Sequence, residues 1–441
     1  MDEIFDKKED FFERNHIGFP KKVIRCKSCL LTNQKMVNSD QYLDNKNTKK
    51  ETIKFYDGIC SACLVNKLKK KIDYKEREKQ LKEILSKYRS KNGDYDVLIP
   101  GSGGKDSFYA SHILKYKYGM NPLTVTWRPH IYTEWGQHNF ESWINTGVTN
   151  ILYSPNPHIH RLLSRLALEN LFHPFQTFGL GQQNLPAKIA KKFNIKLIFY
   201  GEDSAEYGSD AKNYFSYKGL GASNVKEAID EIDESKIFLG GITIEELRER
   251  FDLKINQLDP YLPILSEELE DSKIIICKLG YFLKWRPQSN YYYASENSDF
   301  IPAPERTQGT YTKFNSIDDK LDDLFYWTGF IKSGLGRTTF DASQDIWNNE
   351  ISRNEGLSLI SKYEGEYPDR FEKEVFKYLS MNMESIKGLD YFKQKDLNRN
   401  YLFNLADNFR QAHIWNKNSI GEWQISYSDN NENNFEVSDW G

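Results

Sequence analysis

From Asp96 onward, short apolar or β-branched runs alternate along the chain with amphipathic stretches. The runs are DVLIP (Asp96 to Pro100), LTVTW (Leu123 to Trp127), NILYS (Asn150 to Ser154), KLIFYG (Lys196 to Gly201) and KIIICKLG (Lys273 to Gly280). Their length and β-branched content predict buried strands. Between them, Phe108 to Tyr118, His160 to Asn170 and Leu185 to Phe193 carry apolar residues at helical spacing. Buried strands joined by helices predict a doubly wound α/β fold, a parallel sheet covered on both faces. A helical, acidic stretch at about 205–271 reads as an insertion before the last strand, and beyond Ser316 the pattern is helical again. The expected division is a polar cysteine-bearing module over 1–66, a basic linker helix over 67–95, the α/β domain over 96–315, a helical region over 316–425 and a loose tail over 426–441.

Composition adds exclusions. Of 441 residues, 39% are hydrophobic and 14% aromatic, enough for sizeable cores, and the length suits two or three units. No apolar run approaches the roughly 20 residues that span a bilayer, and the opening MDEIFDKKEDFFERN is too charged for a secretory signal. The expectation is a cytoplasmic protein without a membrane partner. A net charge of −3 offers no global basic surplus for a nucleic acid. One local exception, Lys67 to Lys91, has eleven Lys/Arg against four Asp/Glu, on a pattern that reads first as the solvated face of an amphipathic helix.

The sharpest chemical signal is Pro100-Gly-Ser-Gly-Gly-Lys-Asp-Ser107, which follows the first strand and opens a helix. A strand, a glycine turn and a helix N-terminus present free N–H groups and the positive end of a helix dipole to an anion. Gly101, Gly103 and Gly104 let backbone approach a phosphate, Ser102 and Ser107 add hydroxyls, Lys105 adds charge, and Asp106 suits Mg²⁺. Neither the Walker spacing nor the dinucleotide G-x-G-x-x-G is present.

Cys26-Lys-Ser-Cys29 and Cys60-Ser-Ala-Cys63, separated by thirty residues, form paired C-x₂-C knuckles that supply four thiolates for a closed, structural Zn²⁺ site. Disulfides conflict with the cytoplasmic expectation. Cys277 falls inside the last apolar run and reads as core.

SGGKDS directly after a strand resembles the PP-loop of the ATP-pyrophosphatases, whose adenine-nucleotide α-hydrolase-like sheet binds ATP and cleaves it between the α- and β-phosphates. That resemblance implies adenine near Val125 and Trp127 at the end of the second strand, with Gly201 and Glu202, which end the fourth, facing the same crevice. TWRPHIYTEWG, HRLLSRLALENLFHPFQTFGLGQQ, FYGED, IDDKLDDLFYWTGFIKSGLGRTTFDASQDI and EGLSLISKYEGEYP, together with the cysteine module, look like the N-acetyl sugar amidotransferases of surface-glycan pathways, over roughly residues 20 to 390. The resemblance implies conversion of a sugar acetamido group to acetamidino, with ATP, Mg²⁺ and structural Zn²⁺, and a separate glutaminase similar to the imidazole glycerol phosphate synthase subunit. It also implies that Lys332 and Arg337 bind a phosphate or carboxylate beside Lys105 and Asp106. Arg128, His130 and Tyr132, just past the second strand, are candidates for holding an acidic N-acetylated sugar. The alternative within the same superfamily is a tRNA-modifying thiolase or lysidine-type ligase. A non-catalytic nucleotide-binding regulator is a third reading.

Overall fold

The computed structural model describes residues 8–16, 18–35, 52–203 and 228–426. The N-terminal module carries one short hairpin, β1 (Phe55–Tyr56) and β2 (Ile59–Cys60), which runs straight into helix α1 (Ser61–Lys69). The basic stretch is two helices rather than the single linker expected. α1 stops at Lys70, and α2 (Tyr74–Tyr88) starts afresh because the Asp73 carboxylate accepts from the N–H groups of Lys75 and Glu76. An Asp at that position satisfies donors that a continuous helix would have paired internally.

The five apolar runs form the expected sheet. In chain order, β3 (Val97–Pro100) leads to α3 (Lys105–His112), β4 (Pro122–Trp127) to α4 (Glu134–Asn145), and β5 (Thr149–Tyr153) to α5 (Pro157–Leu171) and α6 (Gln176–Lys192), which returns to β6 (Leu197–Tyr200). The described part of the insertion, 228–271, holds the hairpin β7 (Phe238–Leu239) and β8 (Ile242–Thr243) and helices α7 (Ile244–Phe251) and α8 (Ser266–Ser272), before β9 (Ile275–Lys278). The part of the insertion over 205–227, and residues 427–441 of the expected tail, lie outside the described residues.

All pairings in the sheet are parallel, in the order β5-β4-β3-β6-β9. Alternate side chains divide between the faces. Leu98 and Ile198 enter a core with α5 and α6, while Val97, Ile99, Leu197 and Phe199 enter another with α2 and α3. Burial on both faces explains why these strands read as continuous apolar runs. The chain steps from β3 outward to β5, then returns to place β6 on the other side of β3. The strand order therefore reverses between β3 and β6, which opens a crevice at their C-terminal ends.

Helix α9 (Pro287–Asn297) packs against α3. The helical region follows, with α10 (Asp322–Ser333), α11 (Arg337–Trp347), α12 (Arg353–Tyr363), α13 (Glu372–Leu379) and α14 (Arg399–Asp407), closed by the hairpin β10 (Trp415–Lys417) and β11 (Trp423–Ile425). Leu324, Trp327 and Ile331 of α10 share a core with Leu168 and Phe172, so this region sits on α5 and reaches the crevice. Among the described residues no helix is long and apolar enough to cross a membrane.

Candidate active site

The glycine loop lies at the reversal point, on the wall of a cavity of about 470 Å³. Its backbone is fixed by close approaches. Gly103 has φ +87°, and a Cβ there would lie 2.7 Å from Phe140 Cα. A Cβ on Gly201, just past the end of β6, would meet the Asp106 carbonyl oxygen at 2.6 Å, so this strand end meets the first turn of α3 through bare backbone. Gly104 caps α3 without any side-chain bond, which leaves the first-turn N–H groups to a ligand.

The charged residues of the loop are held from both sides. Lys105, 6% exposed, pairs with Asp106. The other Asp106 oxygen accepts from the buried Asn290 amide on α9 at 2.7 Å. Ser102 hydrogen-bonds Asp318, from the segment just before α10. Asp318, Asp319 and Asp322 line the same cavity. Burial raises the carboxyls of Asp318 and Asp322 above the ordinary range; the Ser102 bond opposes this at Asp318 while Asp319 adds to it, and Asp318, Asp319 and Asp323 add to it at Asp322. Among the described residues, Asp106, Asp318 and Asp322 do not form a group close enough to hold a cation by themselves.

Of the residues read from sequence, Ser102, Gly104, Lys105, Asp106, Ser107, Gly201 and Glu202 line this cavity. Glu202 is tied to Lys278 at 3.1 Å. Val125 and Trp127 do not line it. Both are buried in the sheet, and the Trp127 indole lies under α6, where a Cβ on Gly181 would come within 2.3 Å of it. His130 turns inward. Its side chain is 0% exposed, Nδ1 meets Asp319 at 2.7 Å, and the ring stacks on His160 at 4.6 Å. Tyr132 is half-buried with its backbone bridged to Asp319, and Arg128 is exposed beyond β4.

Lys332 and Arg337 are drawn elsewhere. The Lys332 ammonium donates to the Leu171 carbonyl at 3.0 Å, and Arg337 pairs with Asp341 at 3.0 Å. The glycine turn between them does bind a carboxylate, but it is the protein's own. Glu364 accepts from Gly336 N–H at 2.7 Å, from Thr339 N–H at 3.0 Å and from the Thr339 hydroxyl. The pattern expected to hold a ligand anion thus caps α11 internally.

The sequence reading missed Asn290, Asp318, Asp322 and the α6 face that carries Phe175, Phe178 and Gly179. The acidic run IDDKLDD was the available signal for two of them. Replacing Asn290 with Asp sets a like charge against Asp106. We expect about tenfold weaker binding of ATP with Mg²⁺ by titration calorimetry. Unchanged affinity would show that Asp106 plays no part in holding the ligand.

The four cysteines come together as a second centre. Cys26 Sγ and Cys63 Sγ are 3.8 Å apart, Cys29 Sγ and Cys60 Sγ 3.6 Å, and all four sulfurs lie within 4.8 Å of one another. Four sulfurs each about 2.3 Å from one tetrahedral Zn²⁺ are separated by roughly 3.8 Å, so the set fits a structural metal. The N–H groups of Ser28, Leu31 and Cys60 and the Trp347 indole N–H point at these sulfurs. Burial raises the thiols of Cys29 and Cys60 well above their usual range, which a bound dication reverses. From this centre α1 runs to Lys69, whose ammonium meets the buried Asp203 one residue past Glu202.

Most lysines of the basic stretch are exposed on α1 and α2, as a solvated face, while a few basic side chains make contacts within the fold. The Arg77 guanidinium lies 3.6 Å over the Tyr281 ring, Arg89 donates to the Tyr118 and Gly119 carbonyls, and Lys117 and Lys82 meet Glu78. Cys277 is buried in β9, and burial pushes its thiol up to about 12.

Comparison with known proteins agrees with a biosynthetic setting. Residues 308–428 match the model of the LPS biosynthesis protein WbpG-like, C-terminal domain, which supports a role in glycan biosynthesis and suggests an enzyme. An uncharacterized protein of Methanocaldococcus jannaschii is 38% identical over 80 residues, 18% of this chain and 28% of that protein. The chain thus spans little more than a quarter of that relative's length.

Proposed function

We propose that the chain is an ATP-dependent amidotransferase that converts the acetamido group of an N-acetylated sugar to acetamidino during surface-glycan biosynthesis. The observation that carries this reading is the glycine loop at the strand reversal, set in one cavity with carboxylates from the region that matches a glycan-biosynthesis domain.

An amide oxygen is a poor leaving group. Transfer of AMP to that oxygen, with pyrophosphate released, gives an adenylated imidate. Ammonia then adds to its carbon, and AMP departs with the oxygen. Lys105 and the first-turn N–H groups of α3 suit the charge of the departing pyrophosphate. Asp106, in the loop itself, would help to hold the Mg²⁺ that accompanies the phosphates. The acetamido group is neutral and suits the acidic lining of the cavity. We place any acidic group of the sugar away from it.

Cys277 has neither the exposure nor the acidity of a glutaminase nucleophile. Ammonia therefore comes from solution or from a separate glutaminase. The net charge of −3, and the use of Arg77 and Arg89 in contacts with Tyr281 and with the Tyr118 and Gly119 carbonyls, favour a sugar over a tRNA substrate.

The test is a product assay. The protein is mixed with ATP, Mg²⁺, an ammonium salt at mildly alkaline pH and a panel of N-acetylated sugars, and read by mass spectrometry. The expected product is lighter by about one mass unit, with AMP and pyrophosphate formed in equal amount. ATP consumed only when tRNA is present, with every sugar unchanged, would overturn the proposal.

A further inference from the structure

Helix α6 contains two glycines, and they differ in what surrounds them. Gly181 is required by packing, since a Cβ there would strike the Trp127 ring. Gly136 in α4 and Gly356 in α12 are required in the same way, by Asp318 Cα at 2.5 Å and by Leu30 Cδ1 at 2.6 Å. Gly179 has no such neighbour. Nothing lies within 4 Å of the position its Cβ would take, and its φ is not in the left-handed region. Its N–H bonds the Phe175 carbonyl at 2.8 Å in regular helical fashion. Glycine is among the poorest residues for a helix interior, and neither packing nor backbone geometry explains it here.

The space over Gly179 opens into the cavity of the glycine loop. The wall around it carries the rings of Phe175 and Phe178 and the amides of Gln182 and Gln183, and none of these is charged. Asp318, Asp319 and Asp322 line the same cavity. We infer that the bare backbone at Gly179 is the seat of the nucleobase of the bound nucleotide, and that Gly179 determines whether the base can be bound. This deepens the nucleotide reading of the cavity and rests on it. A flat heterocycle can lie against helix backbone only where no Cβ intervenes. Neighbouring aromatic rings offer it stacking contact, and glutamine amides offer both donors and acceptors to its polar edge. An acidic sugar would need a cation on this wall, and the residues named carry none.

The test compares ATP with inorganic tripolyphosphate, which has similar phosphate charge and no base. Both are titrated with Mg²⁺ into the wild-type protein, Gly179→Ala and Gly179→Leu. Wild type is expected to bind ATP at least about tenfold more tightly than tripolyphosphate. Gly179→Leu, which fills the space, should bring the two within about twofold by weakening ATP alone. Gly179→Ala should weaken ATP less while its melting temperature rises by about 1–3 °C, because alanine is the better helix residue. That opposition of stability and binding is what a merely structural glycine does not produce. A Leu variant that keeps the full preference for ATP overturns the inference, as does a wild type that binds both ligands equally. A wild type that binds neither overturns the nucleotide reading itself, and the inference with it.

Discussion

Replacing Lys105 with Met should lower ATP-dependent pyrophosphate release about 10²–10³-fold while the protein stays folded. Lys105 sits in the first turn of α3, 6% exposed, with its ammonium on Asp106 inside the cavity. In the proposed reaction a fixed cation in such a place would act on charge that develops as the α–β phosphate bond breaks, with no reorganisation needed. Met preserves most of the side-chain volume, so the packing around the stem is kept. Asp106 retains its bond from Asn290 and is one-third exposed, so the carboxylate left behind can be hydrated. The measurement is pyrophosphate release at saturating ATP and sugar, beside a thermal melt. A variant within about threefold of wild type, with an unchanged melt, would remove Lys105 from the chemistry.

The cysteine centre gives the second large effect. Purified protein should contain about one Zn²⁺ per chain by elemental analysis, and Cys60→Ser should lose it with a fall in Tm of 10 °C or more. The expectation follows from burial. Cys26, Cys29 and Cys60 are 0% exposed and Cys63 is 7%, so without a cation the cluster is a set of thiols pressed together away from water. Cys60 is also the N-cap of α1, accepting the Cys63 N–H, so its loss disturbs the start of the helix that carries Lys69 to Asp203. Weaker ATP binding should accompany loss of the metal. A metal-free wild type as stable as the purified protein would show that the four sulfurs need no ion.

The parts of this molecule legible from sequence are those whose physics is local. The five strands announce themselves because burial on both faces makes each a short apolar run. The glycine loop does so because a tight anion-binding turn needs glycines, a lysine and a helix start in consecutive positions. The knuckles do so because two-residue spacing brings two thiolates onto one ion. The residues that complete the site act across the chain. Asn290 reaches Asp106 from 184 positions away, and no pattern near either one marks that contact. Trp127 shows the converse. It ends a strand at the right edge of the sheet, yet α6 covers it, so the cavity opens elsewhere. The turn at Gly336 is the more instructive failure. The pattern suits an anion, but local sequence cannot tell a ligand's carboxylate from that of Glu364, which follows the last turn of the next helix, α12.

The cysteine module also constrains the order in which the chain can finish folding. Leu30 N–H bonds Ser343 Oγ across 313 positions, and Arg353 reaches the Cys29 carbonyl across 324. At ribosomal speeds of about 5–20 residues per second, the knuckles emerge between about 15 and 60 s before the helices that roof them. A segment synthesised well before those helices is therefore among the last to be enclosed. A chain cut short before α11 would leave it uncovered for good, with its apolar residues open to holdases and proteases.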